Sequence, residues 1–371
     1  MSDLPALTSS DGLAFTFYGT AKYDTQTFTR PDGRSEIEKT YYDNQGKKTD
    51  FNSYLKSDFS VTNKINGFVD LQIRSVDYSN TGIDNDLGVL DVDTSFIFFN
   101  PKIGLNYQLT NKVFAYGSFS VANREPVRND FIDNPKNAQP NHETLYDSEI
   151  GLEGRFKKFL GQVNFYYMDY RNQLVLTGAL NDVGSSIREN VDISYRAGVE
   201  LSGSFKLTKR LEWTLNTTIS QNKIDDFKEI VPKYSEDWST TTPVEFSYEN
   251  RDISFSPSII AGSLISYKPA KGLEFGFQTK YVGMQYLDNT SNEERSLPAY
   301  TVSDFIASYS TSLLSLKHVQ LNVLVNNIFN EMYSNNAWSW TGLTSIGDRI
   351  NDVGYYPQAG TNFLAGVTIK F

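Results

Sequence analysis

Cysteine is absent from this chain and histidine nearly so, with only His142 and His318. That excludes a disulfide scaffold, a thiol nucleophile and a cysteine-ligated zinc site. It also leaves little for a Ser-His-Asp triad or a histidine metal centre. Bases are outnumbered, 34 against 44 acids, for a net charge of −10. A protein that binds nucleic acid by neutralising phosphates needs the opposite balance. No stretch of about 18 apolar residues exists, so no transmembrane helix is expected. Residues 1–10 lack a basic stretch followed by an apolar one, so no signal peptide is expected there.

Aromatic residues are abundant: 25 Phe, 23 Tyr and 4 Trp. Yet the mean hydropathy is −0.41. A chain both aromatic-rich and hydrophilic must distribute its apolar groups finely, and here they alternate. Ile103, Leu105, Tyr107 and Leu109 interleave with Lys102, Gly104, Asn106 and Gln108. Ala197, Val199 and Leu201 interleave with Arg196, Gly198 and Glu200, and Leu273, Phe275 and Phe277 with Glu274, Gly276 and Gln278. Period two puts each set on one face of a strand. The runs are of the length that a tilted strand needs to cross a bilayer, about 9–11 residues.

Short connections alternate with long ones. The short turns are 62–66, 110–112, 157–161, 208–210, 268–272 and 312–318; the long segments are 25–50, 80–95, 124–144, 172–192, 222–253, 286–298 and 330–360. Six turns join twelve strands; one strand precedes them at 12–24 and one follows at 361–371, making fourteen. The short turns carry nine bases and no acid, whereas the long segments carry 30 acids and 15 bases. Period-two strands also build soluble sandwiches, but those have no reason to sort charge this way. A barrel with two different aqueous sides does. The expectation is an all-β protein: residues 1–11 as an N-terminal segment, then 12–371 as an antiparallel up-and-down transmembrane β-barrel of about 14 strands. No internal repeat suggests a propeller or solenoid.

The chain ends with Phe363, Ala365, Val367, Ile369 and Phe371 on one parity. Gly366, Ile369 and the terminal Phe371 resemble the signal read by the barrel-assembly machinery. Five further stretches carry a more specific resemblance: Asn123-Arg-Glu-Pro-Val-Arg128, Glu143-Thr-Leu-Tyr-Asp-Ser-Glu-Ile-Gly151, Asn164-Phe-Tyr-Tyr-Met-Asp-Tyr170, Asn326-Asn-Ile-Phe-Asn-Glu-Met-Tyr333 and Tyr356-Pro-Gln-Ala-Gly-Thr-Asn-Phe363. With them the chain resembles the C-terminal part of TonB-dependent outer-membrane receptors, especially those of Bacteroidetes. The resemblance implies a Gram-negative outer-membrane transport protein that takes up a scarce nutrient such as an iron chelate, haem or cobalamin. It implies outer-membrane lipid, the assembly machinery, TonB and the inner-membrane motor as partners, and no resident cofactor. Such receptors close 22 strands around a plug. A plug, a TonB box and about eight strands are not recognised here, so a partial barrel is expected. A free-standing passive 14-stranded channel is the alternative.

If the alternation holds, Arg74, Lys102, Glu149, Glu153, Arg155, Arg196, Glu200, Lys206, Glu274 and Lys280 line the wet side, against a plug or against water. Tyr234, Trp238 and Arg251 in one long segment and Trp338 and Trp340 in another are candidate ligand contacts. Tyr166, Tyr167 and Tyr170 are expected in an aromatic girdle at the membrane interface. The acidic stretch Asp84–Asp93 reads as a solvated loop rather than a calcium site. Neither Glu143 with Glu149 nor Asp225 with Asp226 is held around a substrate, so no catalytic residue and no enzymatic activity is expected.

Overall fold

In the computed structural model, residues 11–18, 26–28, 39–84, 88–134, 139–180, 186–313 and 316–370 are described. Fourteen strands pair in sequence order as one antiparallel ladder. They are β1 (Asp11–Tyr18), β2 (Lys39–Thr62), β3 (Ile65–Ile83), β4 (Val89–Gln108), β5 (Val113–Arg124), β6 (Glu143–Arg155) and β7 (Phe159–Leu180). Then come β8 (Ser186–Lys206), β9 (Leu211–Tyr234), β10 (Ile259–Ala270), β11 (Leu273–Val282), β12 (Tyr300–Leu313), β13 (Leu316–Asn326) and β14 (Asn362–Lys370). The count and order agree with the turn reading. Among the described residues no pairing joins β1 to β14, so the sheet is open there.

Much of the described length of the long segments is strand rather than irregular loop. β2 and β9 reach 24 residues and β7 reaches 22, about twice a membrane crossing. Beyond the crossing the ladder simply continues. The upper part of β9 pairs with a separate strand, Thr241–Asp252, while its lower part pairs with β10. Segment 330–360 contains a second hairpin, Ser334–Leu343 with Arg349–Pro357. These hairpins hold the buried apolar clusters. One gathers Val175, Val191, Ile224, Phe227 and Ile253; another, Tyr78, Val92 and Phe131 of the short helix α1 (Arg128–Asp133); a third, Leu287, Leu297 and Ala337.

The crossing half has the opposite organisation. Directly paired residues of an antiparallel ladder share a face. Ile73, Ile97, Ile103, Leu105, Ile150, Phe165, Leu201, Ile219, Leu321 and Val367 therefore stand on one face, and all are exposed. A solvent-exposed apolar sheet of this extent suits hydrocarbon. Near the short turns Phe156, Phe159, Phe205 and Trp213 stack in a row, with centroids 6.0, 4.7 and 5.6 Å apart. That row is one aromatic girdle. The other expected one needs correction: Tyr167 is on the apolar face and stacks on Tyr195, but Tyr166 pairs with Glu149 and so belongs to the polar face with Tyr170. The phenol of Tyr166 leans over Gly198 and that of Tyr116 over Gly151, where a Cβ would collide with the ring.

Loop length and charge define the two rims. A cysteine at Asn292 should react with an impermeant maleimide on intact cells, and one at Asn111, in a short turn, should not. Labelling at Asn111 alone would invert the orientation. Asn85, equally suited to the first test by sequence, lies outside the described residues.

Candidate functional site

All ten charged residues expected on the wet side share the polar face. One cross-strand row runs Asp70, Lys102, Ser120, Asp147, Met168, Arg196, Asn222. A row nearer the short turns runs Glu153, Gln162, Ser202, Asn216, Gly262, Lys280. Glu149 and Glu200 fall between these rows and border a hollow of about 310 Å³ with Tyr166 and Arg196. Arg155 pairs with Glu153, Lys206 lies opposite Glu212, and Glu274 accepts from Ser266.

Arg74 is the best-connected of them. Its Nε donates to Asp50 at 3.0 Å and its Nη1 to Glu125 at 2.7 Å, while Lys48 reaches Glu125 at 2.6 Å. This cluster borders a polar hollow of about 580 Å³. The sequence points to Arg74 but not to its partners, because Asp50 and Lys48 belong to a segment that reads as loop and Glu125 to the Asn123–Arg128 motif, whose role the sequence does not assign. The motifs prove to be inter-strand ties. Asn123 donates to Asn100 and accepts from Thr144; Arg124 and the Leu174 N–H both donate to Glu143; Arg128 donates to Asn44.

Above the crossing lies a second polar cluster, absent from the sequence reading. Arg295 and Glu229 side chains are each 4 % exposed and 2.7 Å apart. Glu229 also accepts from Arg349 and from the Tyr248 hydroxyl, both at 2.8 Å. Arg295 donates to Thr290 and Thr341, and Asp288 lies 3.0 Å from it as a charge contact. Glu229 is 18 positions beyond Leu211 on β9, which places it about 45 Å up a strand tilted ~40°, above an apolar band ~25 Å tall. Burial alone would raise the Glu229 carboxyl, but the hydrogen bonds from Arg349 and Arg295 outweigh it and hold the carboxyl below its ordinary value. Asp288, where burial dominates, is pushed up.

The candidate ligand residues divide. Tyr234 meets Trp238 at 4.9 Å and Trp340 at 6.0 Å between centroids, so the two long segments converge there. Trp338 is on the same hairpin face as Trp340, directly opposite Gly354. Arg251 is set apart at the far end of its hairpin, opposite Ile224, with its guanidinium 5.4 Å from the Tyr248 ring. In the acidic stretch, Asp84 accepts from the Gly88 N–H, while Asp91 and Asp93 are exposed strand residues. Among the described residues no three His, Asp or Glu side chains are arranged to hold a metal.

An antiparallel ladder with an exposed apolar face, a polar opposite face and extended outer hairpins is the wall of an outer-membrane β-barrel. The chain belongs to the TonB dependent receptor-like β-barrel family, whose model matches residues 4–328. Members of this family are receptors and transporters of the Gram-negative outer membrane that work with TonB. No curated protein sequence matches the chain. Solved structures similar in fold include the ferric-catecholate import receptor Fiu of E. coli K12 in its closed form, with a TM-score of 0.61 and 17% identity over 90% of this chain and 46% of that one. The siderophore receptor PiuA of Acinetobacter baumannii gives 0.67 and 16% over 89% and 44%. The ferric yersiniabactin uptake receptor FyuA of Yersinia pestis gives 0.60 and 13% over 94% and 49%. The chain thus spans less than half the length of these solved relatives.

Proposed function

We propose that this chain forms part of the wall of an importer that captures a scarce nutrient at the outer hairpins and passes it along the polar face, driven through TonB and the inner-membrane motor. The observation that carries this reading is the polar face itself. Lys102, Glu149, Arg196, Glu200 and Lys280 are arranged for a charged or wet partner rather than a dry core. The reading assigns them to a plug. Iron chelates are favoured as cargo because the similar solved proteins are ferric-catecholate, siderophore and ferric yersiniabactin receptors, and haem and cobalamin by the family resemblance; the Bacteroidetes subtype rests on the motifs alone. A passive 14-stranded channel is disfavoured, since no ladder joins β1 to β14 among the described residues.

Cells expressing the receptor should accumulate a labelled iron chelate, haem or cobalamin, and deletion of TonB should abolish accumulation. Uptake indifferent to TonB would sink the reading. Tyr234, Trp238, Trp338, Trp340 and Arg251 are the proposed ligand contacts. Replacing Tyr234 and Trp340 together by Ala is expected to weaken ligand binding about 10–100-fold at unchanged receptor abundance, the range of an aromatic hot spot.

The assembly machinery is proposed to read Gly366, Ile369 and Phe371. Gly366 pairs with Asn322 and Ile369 with Val319, while Phe371 lies outside the described residues. Deleting Phe371 should lower the heat-modifiable folded fraction in outer membranes; unchanged levels would remove this role.

A further inference from the structure

The hairpin 334–357 has two unlike faces. Ala337, Thr341, Arg349 and Val353 point toward the rest of the protein, where Ala337 joins Leu287 and Leu297 and Arg349 joins Glu229. Trp338, Trp340, Asp352 and Gly354 share the other face, because Trp338 pairs with Gly354 and Trp340 with Asp352. Each indole lies across a glycine: a Cβ at Gly354 would collide with Trp338, and one at Gly342 with Trp340. Without side chains there, the rings lie down on the strand surface. Trp338 remains 46% exposed.

The tip of the β9 hairpin meets this shelf with Tyr234 and Trp238. Trp238 has a φ of +59°, a left-handed conformation costly for a bulky residue, and is 53% exposed. The turn enforces it: Asp237 accepts from the Ser235 hydroxyl and from the Ser239 N–H and hydroxyl, and Trp238 N–H donates to the Ser235 carbonyl. A strained, exposed indole held by a fully bonded turn buries little for its cost. Strain of this kind gathers at ligand clamps.

The exposed charge flanking the rings is acidic, and the half-buried Lys233 faces the other side of its strand from Tyr234. Glu236, Asp237, Asp348 and Asp352 are all exposed. Two bases are near in sequence, Lys233 and Arg349, and Arg349 is committed to Glu229 and to the Phe246 ring. Aromatic faces present negative charge density and attract cations, most strongly for tryptophan. Carboxylates beside them add to the attraction and repel anions.

We propose that Trp238, Tyr234, Trp340 and Trp338, with Asp237 and Asp352, form a subsite for a positively charged organic ring or quaternary ammonium group. The proposal rests on the importer reading and narrows its cargo to a cationic solute, or one with a cationic moiety, over an anionic chelate.

The test uses one ring in three charge states with the full chain in detergent: 1-methylnicotinamide (the ring-methylated pyridinium cation), nicotinamide (neutral) and nicotinate (anion), titrated by calorimetry at pH 7. The cation is expected to bind at least 10-fold more tightly than either of the others. Trp338→Ala and Trp238→Ala should each remove most of that binding. Asp352→Asn and Asp237→Asn keep the rings and should weaken the cation several-fold while leaving nicotinamide unchanged. Equal affinity for the three probes, a preference for nicotinate, or cation binding untouched by the Trp variants overturns the proposal. So does titration of a neutral sugar chain, maltohexaose, on the same tryptophans in place of the cation. These are equilibrium measurements without TonB. A cation that binds in a receptor that never imports leaves the subsite standing and defeats the importer reading; TonB-dependent uptake with no charge preference does the reverse.

Discussion

Replacing Glu229 by glutamine is expected to release the hairpin 334–357, raising amide exchange across Ser334–Leu343 by about 10²–10³-fold. The reason is what the substitution leaves behind. Arg295 would remain 4% exposed without its closest carboxylate, and Arg349 would lose its tie to β9. Removing one partner of a buried pair costs ~3–5 kcal/mol, and Asp288, 3.0 Å from Arg295, offsets part of it. Exchange of this hairpin unchanged from the native protein would show that Arg295 is solvated in solution.

The same cluster sets a pH dependence. The Glu229 carboxyl titrates below its unfolded value of about 4.3. Its contribution is therefore complete above that pH and is lost as pH falls through the lower, folded value. Asp288 is raised and acts in the opposite sense, losing stability as pH rises through its unfolded and folded values. Exchange protection of the hairpin should fall on acidification below pH ~4. Asp288→Asn should steepen that fall, and Glu229→Gln should remove it.

Replacing Asn327 by alanine is expected to destabilise the folded protein by about 3–5 kcal/mol, read as loss of heat-modifiable barrel. Asn327 is 3% exposed with φ +50°. Its Nδ2 donates to the Glu331 and Ala359 carbonyls, its Oδ1 accepts from the Glu331 N–H at 2.8 Å, and its own N–H donates to Asp304. The Thr361 hydroxyl closes the knot on the Asn327 carbonyl at 2.6 Å. Alanine would lose three part-buried hydrogen bonds to the backbone of Glu331 and Ala359, ~0.5–1.5 kcal/mol each, and strain a left-handed backbone that asparagine tolerates. Asn327→Gly separates the two terms: it relieves the strain while the side-chain hydrogen bonds stay lost. A glycine variant as stable as the native protein would assign the whole effect to backbone strain. The knot sits where β12, β13 and the approach to β14 meet, so its loss should loosen β14 first.

That knot illustrates how far the sequence could be read. Asn326–Tyr333 is recognisable through the family resemblance, yet nothing in the resemblance says that Asn327 reaches Ala359, 32 positions away. Tyr166 failed for a related reason. Three tyrosines in a row of five look like a girdle, but adjacent strand residues must face opposite ways, and Glu149 across the ladder fixes which one faces the polar side.

The sequence by itself determined the fourteen strands, their order, the two faces and the opposite charge of the two rims. These follow from period-two alternation and turn spacing, which are local and repeat in every hairpin. It also placed the ten named charges on one face of the ladder, since one correct parity in each strand fixes that face. Only the tertiary structure decided where the ladder stops being membrane wall and becomes outer hairpin, because alternation does not change at the interface. Only it joined Glu229 to Arg295 and Arg349, 66 and 120 positions apart, and brought Trp340 to Tyr234. Such contacts depend on how the hairpins above the crossing lean on one another. That lean is set by packing among Leu287, Leu297 and Ala337 and by the burial of charge, and no periodicity within one strand encodes it.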